Sequence, residues 1–92
     1  MMKLKKGFEI VNVAGDYMLV PVDDQIDIFN GTVILNEVSA FMLNKLKHGV
    51  DKKELIRLLM DEYGIDSLVA KTDVEEAIKK MLKIGIIDEE HK

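Results

Sequence analysis

Apolar positions alternate with polar ones through the first third of the chain and recur at three- and four-residue spacings through the rest. Phe8-Glu9-Ile10-Val11-Asn12-Val13 and Tyr17-Met18-Leu19-Val20-Pro21-Val22 are rich in β-branched and aromatic residues and read as two strands. Gly15-Asp16 between them reads as a two-residue type II′ hairpin turn with glycine at its first position. Pro21 cannot donate to a ladder, which places it near a strand end or on an outer edge. Asp23-Asp24-Gln25 interrupts the pattern. Asn30-Gly31 suits a type I′ turn, which needs positive φ at both central residues, and predicts a third strand over 32–36. Residues 26–29, before that turn, read either as a fourth strand or as an irregular approach.

Three helices follow, each with a start and a stop signal. Asn36 is placed to cap a helix over 37–47, with Val38, Phe41, Met42 and Leu46 on one face and Gly49 beyond its end. Asp51 and Glu54 have N-cap and N3 spacing for a helix over 51–63, whose Leu55, Ile56, Leu58, Leu59 and Tyr63 form a broad apolar stripe ending at Gly64. Thr72 and Glu75 read as a capping box for a third helix over 72–84, with Val74, Ile78, Met81 and Leu82 inward and Gly85 at its end. Ile86-Ile87 reads as a short extended tail. The expected fold is α+β and winged-helix-like: a three-stranded antiparallel sheet followed by three helices. It forms one domain over 1–92, β-rich across 8–36 and helical across 37–88. There is no internal repeat and no low-complexity segment.

Composition narrows the function classes. Ninety-two residues, 48% hydrophobic and 33% charged, are enough for one small core and fit neither a disordered nor a membrane-embedded chain. Apolar runs stop at four or five residues, far short of a spanning helix. The positive start Met1-Met2-Lys3-Leu4-Lys5-Lys6 is not followed by a signal-peptide apolar region, so the chain is expected to be cytoplasmic. Zero cysteines exclude disulfides, thiolate catalysis and cysteine-ligated metal. With His48 and His91 the only histidines, a histidine-rich metal site is excluded too. A net charge of −4 carries no electrostatic footprint for nucleic acid.

No catalytic constellation stands out. Asp23, Asp24 and Asp27 lack the glycine and the distal glutamate of a calcium loop and read as a solvated turn. Asp61-Glu62, Glu75-Glu76 and Asp88-Glu89-Glu90 are neighbours whose side chains diverge on a helix. Ser39, Ser67 and the histidines form no nucleophile–base–orienter set. His48 at a helix end reads as a partner of the macrodipole. The six glycines are isolated turn and cap residues, not a phosphate loop. Met18, Met42, Met60 and Met81 read as core fillers. A winged helix invites the idea of a DNA-binding regulator, but the third helix sets Lys71, Lys79, Lys80 and Lys83 against Asp73, Glu75 and Glu76, a net of +1. The gap from Gly64 to Lys71 is also about twice the turn of a helix-turn-helix. Arg57 is the sole arginine. An enzyme is not expected, nor a cofactor or metal.

Leu35-Asn36-Glu37-Val38-Ser39-Ala40-Phe41-Met42-Leu43 resembles the Leu-Asn-Glu-Thr-Gly-Ala-x-x-Leu segment of the PqqD family, first known from pyrroloquinoline quinone biosynthesis and also called the RiPP recognition element. The flanking order agrees: a Tyr-x-x-Val-Pro strand, Phe29-Asn30-Gly31, then Gly49-Val50-Asp51-Lys52-Lys53-Glu54-Leu55, and a terminal stretch from Asp73-Val74 to Ile86-Ile87. The resemblance spans about residues 8–88. It departs from the family where Val38-Ser39 replaces Thr-Gly and where 23–31 is longer than in the shortest members.

The resemblance implies a non-catalytic peptide-binding chaperone. Such a domain binds the leader of a ribosomally made precursor peptide and presents it to a modifying enzyme, often a radical-SAM protein. The leader is implied to add as a strand beside Thr32, Val33, Ile34 and Leu35, in a groove flanked by Asp73, Glu76, Ala77, Lys80 and Met81. A free strand edge offers unpaired N–H and C=O groups, which suits such β-augmentation independently. A proline at Val33 is expected to remove one donor from that edge. The alternatives are a winged-helix transcription regulator and a dimeric assembly subunit joined through the same edge. Nucleic acid and membrane are not expected as partners, and the chain is expected to be a monomer or homodimer.

Overall fold

A computed structural model describes residues 1–22 and 32–89. The Asn30-Gly31 turn, the segment 26–29, the Asp23, Asp24 and Asp27 cluster, and His91 lie outside those residues. The elements run in the order β1 (Met2–Leu4), β2 (Phe8–Val13), β3 (Asp16–Pro21), β4 (Val33–Leu35), α1 (Glu37–Leu46), α2 (Lys52–Tyr63), α3 (Ser67–Ile84) and β5 (Ile87–Glu89). β2, β3 and β4 form the expected three-stranded antiparallel sheet in that spatial order.

The first hairpin turns one residue earlier than the sequence suggested. Val13 pairs with Asp16, so the two-residue loop is Ala14-Gly15. Both have positive φ, 53° and 89°, which is the type I′ pattern rather than type II′. Asn12 accepts the Gly15 N–H through its side chain and steadies the turn. Pro21 is the last residue of β3.

A second, two-stranded sheet joins two segments that the sequence pattern does not pair. β1 pairs antiparallel with β5, Lys3 facing Asp88, so the tail after Gly85 is a true strand. Met2 also bridges to Val50, exchanging two backbone hydrogen bonds of 2.8 and 2.9 Å. Met2 and Leu4 point inward and Lys3 outward, joining both ends of the chain to the loop before α2.

Helix boundaries follow side-chain caps. Asn36 and Asp51 accept the N–H of Ser39 and Glu54 and start α1 and α2 as expected. α3 starts earlier than the sequence indicated. Asp66 caps it through the Val69 N–H, so the helix begins at Ser67, five residues before the expected start at 72. Thr72 lies inside the helix, donating its hydroxyl to the Leu68 carbonyl one turn back, so no capping box forms. Only Gly64, Ile65 and Asp66 then separate α2 from α3, within helix-turn-helix length, and the spacing objection to a DNA-binding unit falls. Gly85 ends α3 at φ 89°, with its own N–H and that of Ile86 both bonding the Met81 carbonyl.

The core gathers Leu19 from the sheet, Met42, Leu43 and Leu46 from α1, Leu55 and Leu59 from α2, Ala70, Val74, Ile78 and Met81 from α3, and Ile86 and Ile87 behind it. Met18 and Met60 are half-buried, while Met42 and Met81 are core residues. Phe41 and Tyr63 meet edge-to-face at 5.6 Å, tying α1 to the end of α2.

Candidate functional site

The sheet's alternation decides what β4 offers to solvent. The Val22 N–H donates to the Gly7 carbonyl at 2.7 Å, one step beyond the Phe8–Pro21 pair. Backbone groups alternate sides along a strand, so Val22, Val20 and Met18 address β2 while Pro21, Leu19 and Tyr17 address β4. Leu19 faces Val33 and Tyr17 faces Leu35. The backbone groups of Val33 and Leu35 are therefore committed to β3. Those of Ile34 point away from it, toward an edge with no strand partner among the described residues. The expectation that Val33→Pro removes an edge donor is thus corrected: Val33 belongs to the internal ladder, and Ile34 carries the edge N–H.

Side chains alternate in the same register. Val33 and Leu35 pack against the core, whereas the Ile34 side chain is 79% exposed on the opposite face. A groove runs between β4 and one face of α3. Along β4 it is lined by Val33, Ile34, Leu35 and Asn36, and across from them by Ala77, Lys80, Met81 and Ile84, with Leu43 and Ile86 also lining it. It continues past the end of β4 into a second stretch, where Asn36, Val38, Ser39 and Met42 face Asp73, Glu76, Ala77 and Lys80.

Eight of the nine sequence-expected site residues meet in this groove: Val33, Ile34, Leu35, Asp73, Glu76, Ala77, Lys80 and Met81. Thr32 is exposed just before β4 and does not line it. Sequence reasoning missed the contribution of α1. Asn36 both caps α1 and lines the groove, and Ser39 and Met42 follow it on the same helix face. Their 36, 39, 42 spacing was the available signal.

Among the described residues the groove's charges are unpaired. Asp73, Glu76 and Lys80 make no ion pair among the described residues. Ion pairs lie elsewhere. Lys52 bonds Glu75 between α2 and α3, and holds the Glu75 carboxyl below the usual carboxylate range. Arg57 bonds Glu54 and, at 2.9 Å, Asp61, which lowers the Glu54 carboxyl and raises the guanidinium. Tyr63 is raised, chiefly by desolvation. Among the described residues no three histidine, aspartate or glutamate side chains group to hold a metal, and no helix is long and apolar enough to cross a membrane.

The sequence matches the family model described as Coenzyme PQQ synthesis protein D (PqqD) over residues 16–87, from β3 to the start of β5. The chain belongs to the PqqD family. No curated protein matches it. Two solved structures share this PqqD-family fold. TbiB1 in complex with the TbiA(beta) leader peptide superposes with a TM-score of 0.75 at 12% identity, over 98% of this chain and 99% of that one. Lasso peptide synthetase B1 complexed with the leader peptide gives 0.73 at 15% identity, over 96% and 98%. At such low identity the likeness of this PqqD-family chain to both lies in the fold alone.

Proposed function

We propose that this chain is a non-catalytic recognition element that binds the leader of a ribosomally synthesised precursor peptide and presents it to a modifying enzyme, a radical-SAM protein being the partner type implied by the family. The peptide adds as a strand to β4, taking the Ile34 N–H and C=O, and drops alternate side chains into the groove against α3. The observation that carries this proposal is the outward-facing backbone of Ile34 beside a groove lined by Val33, Leu35, Ala77 and Met81. Membership of the PqqD family supports it, as do two proteins of this fold solved with leader peptides bound. No cofactor takes part, and the work belongs in the cytoplasm, where ribosomal peptides are made.

DNA binding is not favoured. Arg57 is engaged by Glu54 and Asp61, and α3 carries four lysines against three carboxylates over its whole length. A homodimer through β4 would use the same edge as the peptide. Titration of the labelled protein with leader segments encoded beside its gene tests the proposal. Shifts should concentrate on residues 32–36 and 73–81, and light scattering should show no dimer that the peptide must displace. A folded sample in which no leader segment moves those resonances refutes it.

A further inference from the structure

The groove changes character along its length. Beside β4 it is apolar, with Met81, Ile84 and Ile86 along it. Past the C-terminal end of β4, it runs between the start of α1 and two carboxylates, Asp73 and Glu76. The first turn of α1 does not offset that negative charge. Its Ser39 N–H is taken by the Asn36 side chain, and Glu37 adds a further carboxylate. Lys80 stands one helical turn beyond Glu76, between the acidic stretch and the apolar one.

Resting on the peptide-binding function proposed above, we propose that the groove selects an extended segment of about six residues carrying lysine or arginine at its N-terminal end, followed by apolar residues at the next two alternate positions. Every strand pair among the described residues is antiparallel, and antiparallel pairing is slightly the more stable per residue. A strand added that way runs from Leu35 back toward Val33, so its N-terminal part lies over Asp73 and Glu76. From Asp73 to Ile84 the helix rises about 16 Å. About six extended residues cover that distance, three of them facing the groove. The first meets the two carboxylates, the second Ala77 and Met81, and the third Ile84 and Ile86. Lys80 repels a cation at the second position, which confines the basic residue to the first. Because these charges stay partly solvated, a basic residue there strengthens binding about two- to fivefold over a neutral one.

The test selects binders of the full chain from a random dodecapeptide library and keeps those that lose binding to Ile34→Pro. Each retained peptide is then titrated against the unaltered chain and against Glu76→Lys, an exposed change that leaves the core intact. The expected binders carry Lys or Arg two residues before an alternating apolar pair, and Glu76→Lys weakens them about tenfold or more while tolerating Asp or Glu at that place. Binders with the apolar alternation but no basic residue, or with affinity unchanged by Glu76→Lys, overturn the inference and leave the peptide-binding function standing. A library that yields no Ile34-dependent binder overturns both.

Discussion

Two proline substitutions one residue apart should have opposite consequences. The Val33 N–H is directed at Leu19, a residue with no exposed surface, so Val33→Pro removes a bond of the internal ladder and leaves a buried carbonyl short of a partner. A net hydrogen bond contributes about 1 kcal/mol, and stranding its buried partner costs about 1–3 kcal/mol. Because the stranded carbonyl sets the cost, Val33→Pro should lower unfolding free energy by about 1–3 kcal/mol in urea melts. Ile34→Pro removes an N–H with no strand partner among the described residues, and the 79% exposed side chain loses little packing. The cost there is about 1 kcal/mol or less, as for an edge-strand proline. Peptide affinity behaves the other way. Ile34→Pro deletes an edge donor and sets the pyrrolidine ring against the incoming strand, which should weaken leader binding at least about tenfold. Chemical denaturation followed by calorimetric titration of each variant reads both effects. Equal destabilisation by the two prolines, or an Ile34→Pro protein that binds the leader as well as the parent, would refute the assignment of backbone directions.

Other consequences follow from single contacts. Ala14 stands at φ 53° in the hairpin turn, a strained position for alanine, so Ala14→Asn should stabilise the chain by about 0.5–1 kcal/mol in thermal melts. Leu43→Ala should cost about 2–5 kcal/mol by opening a cavity beneath the groove, since Leu43 is fully buried. Carbon-detected titration of the carboxyls should find the Glu75 midpoint below the usual range, returning toward it in Lys52→Ala. With the folded pKa depressed, the pair's contribution is present above the unfolded glutamate pKa and is lost as pH falls through the folded one.

The parts of the fold legible in the sequence are those set by local chemistry. Asn36 and Asp51 declare two helix starts because a short polar side chain satisfies an N–H within its own turn. The same logic misled at α3. Leu68, 73% exposed, and Val69 break the amphipathic rhythm of its first turn, so the Thr72-Glu75 spacing is the stronger local signal although the cap is Asp66. β1 has no local signature because its partner, β5, lies at the far end of the chain, and three residues carry too little alternation to announce a strand. The β4–α3 groove was located through family resemblance joined to strand pattern. The 36, 39, 42 spacing puts Asn36, Ser39 and Met42 on one face of α1, but that this face borders the groove depends on the angle at which α1 leaves β4. Likewise, the commitment of Val33 inward and Ile34 outward depends on ladder parity, which is set by the pairing of β2 with β3 and invisible within β4 itself.

The most direct measurement is hydrogen exchange at the Ile34 amide, in the free protein and in the protein saturated with the leader peptide it binds. Fast exchange is expected in the free chain, where the group has no strand partner among the described residues, with Val33 and Leu35 already slowed by their bonds to β3. Peptide should then slow Ile34 by an order of magnitude or more as the added strand takes its N–H. An Ile34 amide already protected in the free protein, or one left unprotected at saturation, would contradict strand addition at β4.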